Sequence, residues 1–188
     1  MRLFVALEIP SEPRKNLAAL LEELRPLLPR LRWTSTTSIH LTLKFIGEVS
    51  SSALDAIRSA LSKVKLGSTI AVRSAALGSF HGREKAGVLF AKIEPSEKLT
   101  ELAGQIDRQL QLAGIAGETR AFVPHLTLAR CKNEELPDNI AEILANFSGR
   151  EFADFQCAEF CLVESKLKPV GAEYTILQSF PFVAETQN

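Results

Sequence analysis

Two of the three histidines in this 188-residue chain open the same four-letter word, His40-Leu41-Thr42-Leu43 and His125-Leu126-Thr127-Leu128. An imidazole can accept or give a proton near neutral pH. A hydroxyl two residues further along an extended chain lies about 6–7 Å away, within reach of a second oxygen on the same phosphate. Two such units facing each other supply an acid, a base and two hydroxyl donors around one phosphorus. That equipment suits phosphoryl transfer on a strained ring or an ester with a good internal nucleophile. The chemistry demands no cofactor and no metal, because the histidines handle both protons and hydroxyls stabilise the equatorial oxygens.

Each word alternates polar and apolar letters, the period of a strand with one buried face. Alternation puts His40, Thr42 and Lys44 on one face, with Leu41, Leu43 and Phe45 on the buried one. In the second copy His125, Thr127, Ala129 and Cys131 share a face, opposite Leu126, Leu128 and Arg130. Arg130 is therefore aimed away from the site, unless a bulge re-aims it. Cys131 lies about 20 Å along the strand from His125, too far to act as a nucleophile there. His81 stands in a polar loop, Phe80 to Lys85, and is read as solvated. A single strand histidine is more often a packing residue than a catalyst. Repetition of four residues within matching element orders reverses that expectation.

The elements around each word repeat too. Leu3 to Leu7 reads as a buried strand, followed by a helix capped by Ser11 with Leu17, Leu20, Leu21, Leu24 and Leu28 on one face. The first word then runs to a stop at Gly47, and a helix capped by Ser50 to Ser52 carries Leu54, Ile57 and Leu61. In the second half, strands at Ile70 to Leu77 and Val88 to Ile93 lead to a helix begun by Pro95 and Ser96, with Leu99, Leu102, Ile106 and Leu110 on its apolar face. The second word follows, then a helix around Leu136 to Phe147. Strands near Phe155 to Leu167 and Tyr174 to Phe182 close the chain around a Pro169/Gly171 turn. Strand, leucine helix, HLTL strand and helix thus occur twice. The pattern predicts an α+β fold of two pseudo-symmetric lobes with sheets lining a central cleft and helices outside, forming a single domain over 1–188. No Gly/Ser/Pro-rich linker separates the lobes, so they share a cleft.

Composition narrows the partners. Lys plus Arg equals Asp plus Glu at 22 each, so no global field draws in polyanions and any nucleic-acid contact must be local. A short RNA end or a nucleotide fits that limit. Three cysteines, Cys131, Cys157 and Cys161, follow no metal or disulfide spacing and read as reduced thiols of a cytoplasmic protein. No leader-like or bilayer-spanning run is present, and the chain is expected to be a monomer that does not bind membranes. P-loop, GxGxxG, HExxH and GxSxG motifs are absent.

The paired words, with RLFVALEIP, IHLTLKFIGEV, FVPHLTLAR and ESKLKPVGAEYTILQSFPF around them, resemble the 2H phosphoesterase superfamily over nearly the whole chain. The similarity is to its bacterial and archaeal branch, the RNA 2′,3′-cyclic phosphodiesterases also called 2′-5′ RNA ligases. The resemblance implies a bilobal fold with the two HxT motifs facing across a cleft. It implies opening of a 2′,3′-cyclic phosphate at an RNA 3′ end to a 2′-phosphate, with joining of a 5′-hydroxyl through a 2′-5′ linkage as a related reaction. By the same resemblance His40 is the proton donor, His125 the proton acceptor, and Thr42 and Thr127 bind the phosphate oxygens. The residues alone leave the two histidines equivalent. They also leave open a phosphodiesterase acting on small cyclic nucleotides or 2′-5′ oligonucleotides, and a noncatalytic RNA-end-binding module.

Overall fold

The apolar run near the N-terminus forms strand β1 (Arg2–Leu7) in the computed structural model, which describes residues 1–74, 76–81, 87–131, 136–168 and 171–182. The run is continuous because both faces of β1 are covered. Leu3, Val5 and Leu7 enter the main core, while Phe4 and Ala6 join Cys161 and Val163 in a smaller apolar cluster on the other face. Helix α1 (Ser11–Leu24) buries Leu17, Leu20, Leu21 and Leu24 completely or nearly so. Each such leucine contributes about 1.5–3 kcal/mol by leaving water. The helix starts one residue earlier than a Ser11 cap requires. Pro10 occupies the cap position in extended conformation, no side chain caps the end, and the Pro10 carbonyl accepts from the Arg14 N–H. Leu28 lies beyond the helix but is buried.

A two-residue strand β2 (Arg32–Trp33) and a 3-10 turn, Thr36–Ser38, lead into β3 (Leu41–Glu48). The hydroxyls at Ser50 to Ser52 form another 3-10 turn, Ser51–Ala53, without capping α2 (Leu54–Leu61). There follow β4 (Ile70–Ser74), β5 (Ala76–His81), β6 (Gly87–Lys92), α3 (Glu97–Leu112), β7 (His125–Arg130), α4 (Ile140–Ala145), β8 (Ala153–Cys157), β9 (Glu159–Lys168) and β10 (Gly171–Pro181). Ser96 does cap α3, accepting from the Leu99 N–H at 3.1 Å. Helix α4 is shorter than the apolar pattern around Leu136 to Phe147 predicts.

Two expected strands each divide in two. Ile70 to Leu77 becomes β4 and β5, and Phe155 to Leu167 becomes β8 and β9. In each case the halves belong to different sheets: β4 pairs with β8 in a small sheet, while β5 and β9 enter the large one. Alternation reads each half as a strand but carries no mark of which sheet it joins.

The large sheet has the order β10-β9-β1-β3-β7-β6-β5, every pairing antiparallel, with β2 against β7. Its halves, β10-β9-β1-β3 and β7-β6-β5, meet at one residue pair, Leu41 opposite Leu126. These are the second letters of the two words, so the approximate twofold axis runs through that pair. The apolar helix faces and the leucines of both words share one core. The fold is thus the α+β, two-lobed architecture the duplication predicts. No helix among the described residues is long and apolar enough to cross a membrane. The Pro169 turn lies outside the described residues.

Strict alternation fails at the same letter in both words. Along β1 and β3, Ala6 faces Thr42 and Val5 faces Lys44, so Leu43 is bulged out of register. Along β6 and β7, Phe90 faces Thr127 and Leu89 faces Ala129, so Leu128 is bulged in the same way. Two consecutive residues then point into the core: Leu43 with Lys44, and Leu128 with Ala129. The following residues, Phe45 and Arg130, turn outward and are exposed. Gly47 is not a strand end. It sits inside β3 at φ +86°, beside a second bulge where Ile46 is skipped, and that backbone favours glycine.

Lys44, expected on the histidine face, is therefore in the core at 5% exposure. Its ammonium donates to Asp107 at 2.6 Å and to the Ala116 carbonyl at 2.9 Å, clasping β3 to α3. Burial pushes the Asp107 carboxyl up, but hydrogen bonds from Lys44, the Glu118 N–H and Gln111 outweigh it and leave it below the usual carboxylate value. Asp107→Ala leaves the ammonium buried without its counter-ion and is expected to cost about 3 kcal/mol in urea unfolding. The wild-type contribution of this pair holds above the ordinary Asp value and fades as pH falls through the lowered one. A urea midpoint unchanged in the variant contradicts the clasp.

Candidate active site

The two histidines are held by the same local device. The His40 Nδ1 lies 2.8 Å from the Ser38 carbonyl, and the His125 Nδ1 lies 2.8 Å from the Val123 carbonyl. A carbonyl can only accept, so in both rings Nδ1 carries the proton and Nε2 keeps the free lone pair. The residue between histidine and carbonyl must be extended for the ring to fold back two positions. Ile39 is (φ −72°, ψ 128°), and Pro124 has its φ set by the pyrrolidine ring. The two words thus present the same nitrogen in the same way.

Counting one residue out from Leu41–Leu126, antiparallel register sets His40 against Thr127 and Thr42 against His125. The two imidazoles are diagonal neighbours across the pair, a position whose residues are typically roughly 7–8 Å apart and somewhat closer from Cβ to Cβ. His40 and both threonines are half-buried. The four residues named from the sequence therefore converge on one face of the sheet, at the seam between the lobes.

A ring cluster supports each imidazole. Phe4 stacks on His40 with centroids 4.6 Å apart, and Tyr174 meets His40 edge-on at 5.1 Å. Around His125, Phe90 and Phe80 each lie 5.3 Å away and stack on one another at 4.2 Å. Each histidine thus leans on one ring from its neighbouring strand, β1 or β6, and one from further out, β10 or β5. Alternation along β1 already sends Phe4 away from the core leucines, a signal open to sequence reasoning. The roles of Tyr174, Phe80 and Phe90 depend on strand order. Phe80, read as part of a polar loop, is in β5. The side chain of His81 and residues 82–86 lie outside the described residues.

The bulge at Leu128 corrects the reading of Arg130. Its guanidinium is close enough to both histidines to disfavour their charged forms. Arg130 therefore lies on the side of the site from which alternation excluded it. Cys131, expected on the histidine face, is instead core. Arg130 has Phe45 as its counterpart in the first word, so this position breaks the symmetry of the pair: a cation on one side, an exposed ring 6.2 Å from Phe4 on the other.

Burial is the main cause that pulls the His40 proton affinity below the ordinary histidine value. The hydrogen bond to Ser38 opposes it, and Arg130, Arg14 and His125 add to it. His125 is lowered in the same way, by burial first, against Val123 and with Arg130. Arg130 thus stands beside two imidazoles that are neutral near pH 7. Among the described residues no three His, Cys, Asp or Glu side chains converge as metal ligands do.

The sequence profile of the 2′-5′ RNA ligase superfamily matches residues 5–169 of this chain. The chain is 31% identical to the RNA 2′,3′-cyclic phosphodiesterase of Thermus thermophilus, over 98% of this chain and 92% of that one. It is 28% identical to the protein of the same name from Archaeoglobus fulgidus, over 96% of this chain and 99% of that one. Its fold is similar to the crystal structure of TT0787 of Thermus thermophilus, with a TM-score of 0.80, 28% identity and coverage of 98% and 100%. A repeated HxT word, two lobes joined at its second letter and these likenesses over almost the full length agree: the chain belongs to the 2′-5′ RNA ligase superfamily, the 2H phosphoesterases.

Proposed function

We propose that this protein is an RNA 2′,3′-cyclic phosphodiesterase that opens the cyclic phosphate at an RNA 3′ end to leave a 2′-phosphomonoester. The observation that carries the reading is the matched pair of imidazoles, each locked by its own backbone carbonyl so that Nε2 remains the working atom. A noncatalytic binding module has no need of two proton carriers in one tautomer. The relatives named RNA 2′,3′-cyclic phosphodiesterase, matched over nearly the whole chain, support the same reaction and substrate class.

In this mechanism His125 Nε2 takes a proton from water as its oxygen attacks phosphorus in line with the departing 3′ oxygen. The bond from phosphorus to the 3′ oxygen breaks, and protonated His40 gives its Nε2 proton to that oxygen. The 2′ oxygen keeps the phosphate. Thr42 and Thr127 donate hydrogen bonds to the non-bridging oxygens, and Arg130 offsets their negative charge. A 5′-hydroxyl in place of water gives a 2′-5′ linkage by the same proton movements. The assignment of donor and acceptor follows the family resemblance, and the symmetry break between Arg130 and Phe45 is consistent with unequal jobs. We read the protein as a cytoplasmic monomer, with residues 1–188 forming one domain of two intertwined lobes. Reduced cysteines fit that reading, since burial pushes the Cys157 thiol up to about 12 and keeps it protonated.

An oligonucleotide with a 2′,3′-cyclic end is expected to give a 2′-phosphate product in the presence of EDTA. Untouched substrate or a 3′-phosphate product refutes the proposal. His40→Ala and His125→Ala are each expected to lower kcat by roughly 10²–10⁴-fold, and full activity in either refutes the paired roles.

The lowered histidine values predict where activity lies on the pH scale. For free enzyme, kcat/KM falls on the acid side as His125 becomes protonated and on the alkaline side as His40 loses its proton. Both values lie below the ordinary 6.5, so the kcat/KM maximum is expected below that pH. A bound phosphate anion favours both imidazolium forms, so the kcat profile is expected at higher pH. Profiles in the opposite order contradict this account. Stability follows the same sign: an unfolded chain binds these protons first, so the native state weakens as pH falls from 6.5 through the lowered values.

A further inference from the structure

In-line displacement holds the entering water and the departing 3′ oxygen on opposite sides of phosphorus. With water beside His125 and the 3′ oxygen beside His40, the ribose and its base lie on the His40 side. This step rests on the reaction proposed above. On that side of His40 the structure has a cavity of about 100 Å³, against the roughly 10–15 Å³ that holds one water. Its walls are Phe4, Tyr174, Ile176 and His40 itself. Tyr174 is 37% exposed and Ile176 49%, so flat apolar surface stays open to water at the mouth. Such surface suits a stacked aromatic ring.

The same cavity is lined by Glu8 and Thr37. The Glu8 carboxylate is 3.5 Å from Arg14, but Arg14 directs its hydrogen bonds to the carbonyls of Thr36, at 2.6 Å, and Ile9, at 2.8 Å. Glu8 therefore keeps acceptor capacity while partly removed from water. Burial pushes its carboxyl up even beside Arg14, while 43% of the side chain stays open at the cavity mouth. Two adjacent N–H donors of a ligand would fit both of its oxygens.

We propose that this cavity is the subsite for the base of the 3′-terminal nucleotide and that Glu8 makes it select guanine. Guanine presents N1–H and N2–H side by side, matching both oxygens of one carboxylate. Adenine and cytosine offer an amino group next to an acceptor ring nitrogen, and uracil offers one N–H between two acceptors. Those edges set a lone pair against the carboxylate. The Thr37 hydroxyl, 2.8 Å from Ser35 Oγ, donates to the guanine O6 when Ser35 is the donor of that pair.

Trinucleotides ending in the 2′,3′-cyclic phosphates of guanosine, inosine, adenosine, cytidine and uridine test this. The guanosine end is expected to exceed each of the others in kcat/KM by roughly tenfold or more, the scale of one bidentate contact. Inosine differs from it only by the missing 2-amino group and needs no variant of the protein. In Glu8→Gln the guanosine-to-inosine ratio is expected to fall toward one. Competition by 2′-GMP against 2′-IMP should repeat both ratios without turnover. Equal wild-type rates for guanosine and inosine ends, or a ratio preserved in E8Q, overturn the subsite alone. No turnover of any of the five ends overturns the phosphodiesterase reading and the subsite together.

Discussion

A single backbone pairing, Leu41 against Leu126, joins the two halves of the large sheet, and the rest of the site depends on it. Were β3 and β7 paired over their full lengths, the sheet would be continuous there and would carry no cleft between lobes. Instead β7 leaves β3 after this pair and continues against β2, while β3 continues along β1. The seam therefore lies at the start of both words. A one-residue slip would turn the histidines into the core and the leucines into the cleft. Both leucines are fully buried, so the apolar core itself resists that slip.

Two further constraints turn proximity into a chemical arrangement. The carbonyl locks at Ser38 and Val123 choose the tautomer, leaving Nε2 as the atom free to exchange protons. The ring clusters behind each imidazole limit how it can turn and withdraw it from water, which lowers its proton affinity. An imidazole that rests neutral beside a guanidinium binds a proton more readily once an anion lies against it. In the proposed reaction that effect favours the charged form His40 needs as donor and opposes the neutral form His125 needs as acceptor.

The bulges at Leu43 and Leu128 show how a repeated word gives unequal results. In each copy the bulge sends the next residue inward and the one after it outward. Chain divergence at those positions places a buried lysine and an exposed phenylalanine in one lobe, alanine and arginine in the other. Lys44 then clasps β3 to α3, and Arg130 stands beside the histidines. One backbone device serves packing in the first lobe and charge in the second.

The repeated His-x-Thr-x word, the leucine periods of α1 and α3 and the order of elements were legible in the sequence, because each depends on local spacing and on which face is apolar. The α+β class and the convergence of four polar residues followed from that periodicity. The division of Ile70 to Leu77 and Phe155 to Leu167 between two sheets was not legible, since partner choice depends on residues far away in the chain. Nor were the inward turn of Lys44 and the outward turn of Arg130. A bulge is defined by the register of two strands together, and neither strand carries it alone. Local spacing alone was enough to mark the repeated His-x-Thr word and the strand face its polar residues share. Which rings lean on the histidines, and where Lys44 and Arg130 point, came from the folded chain, because long-range strand pairing sets both.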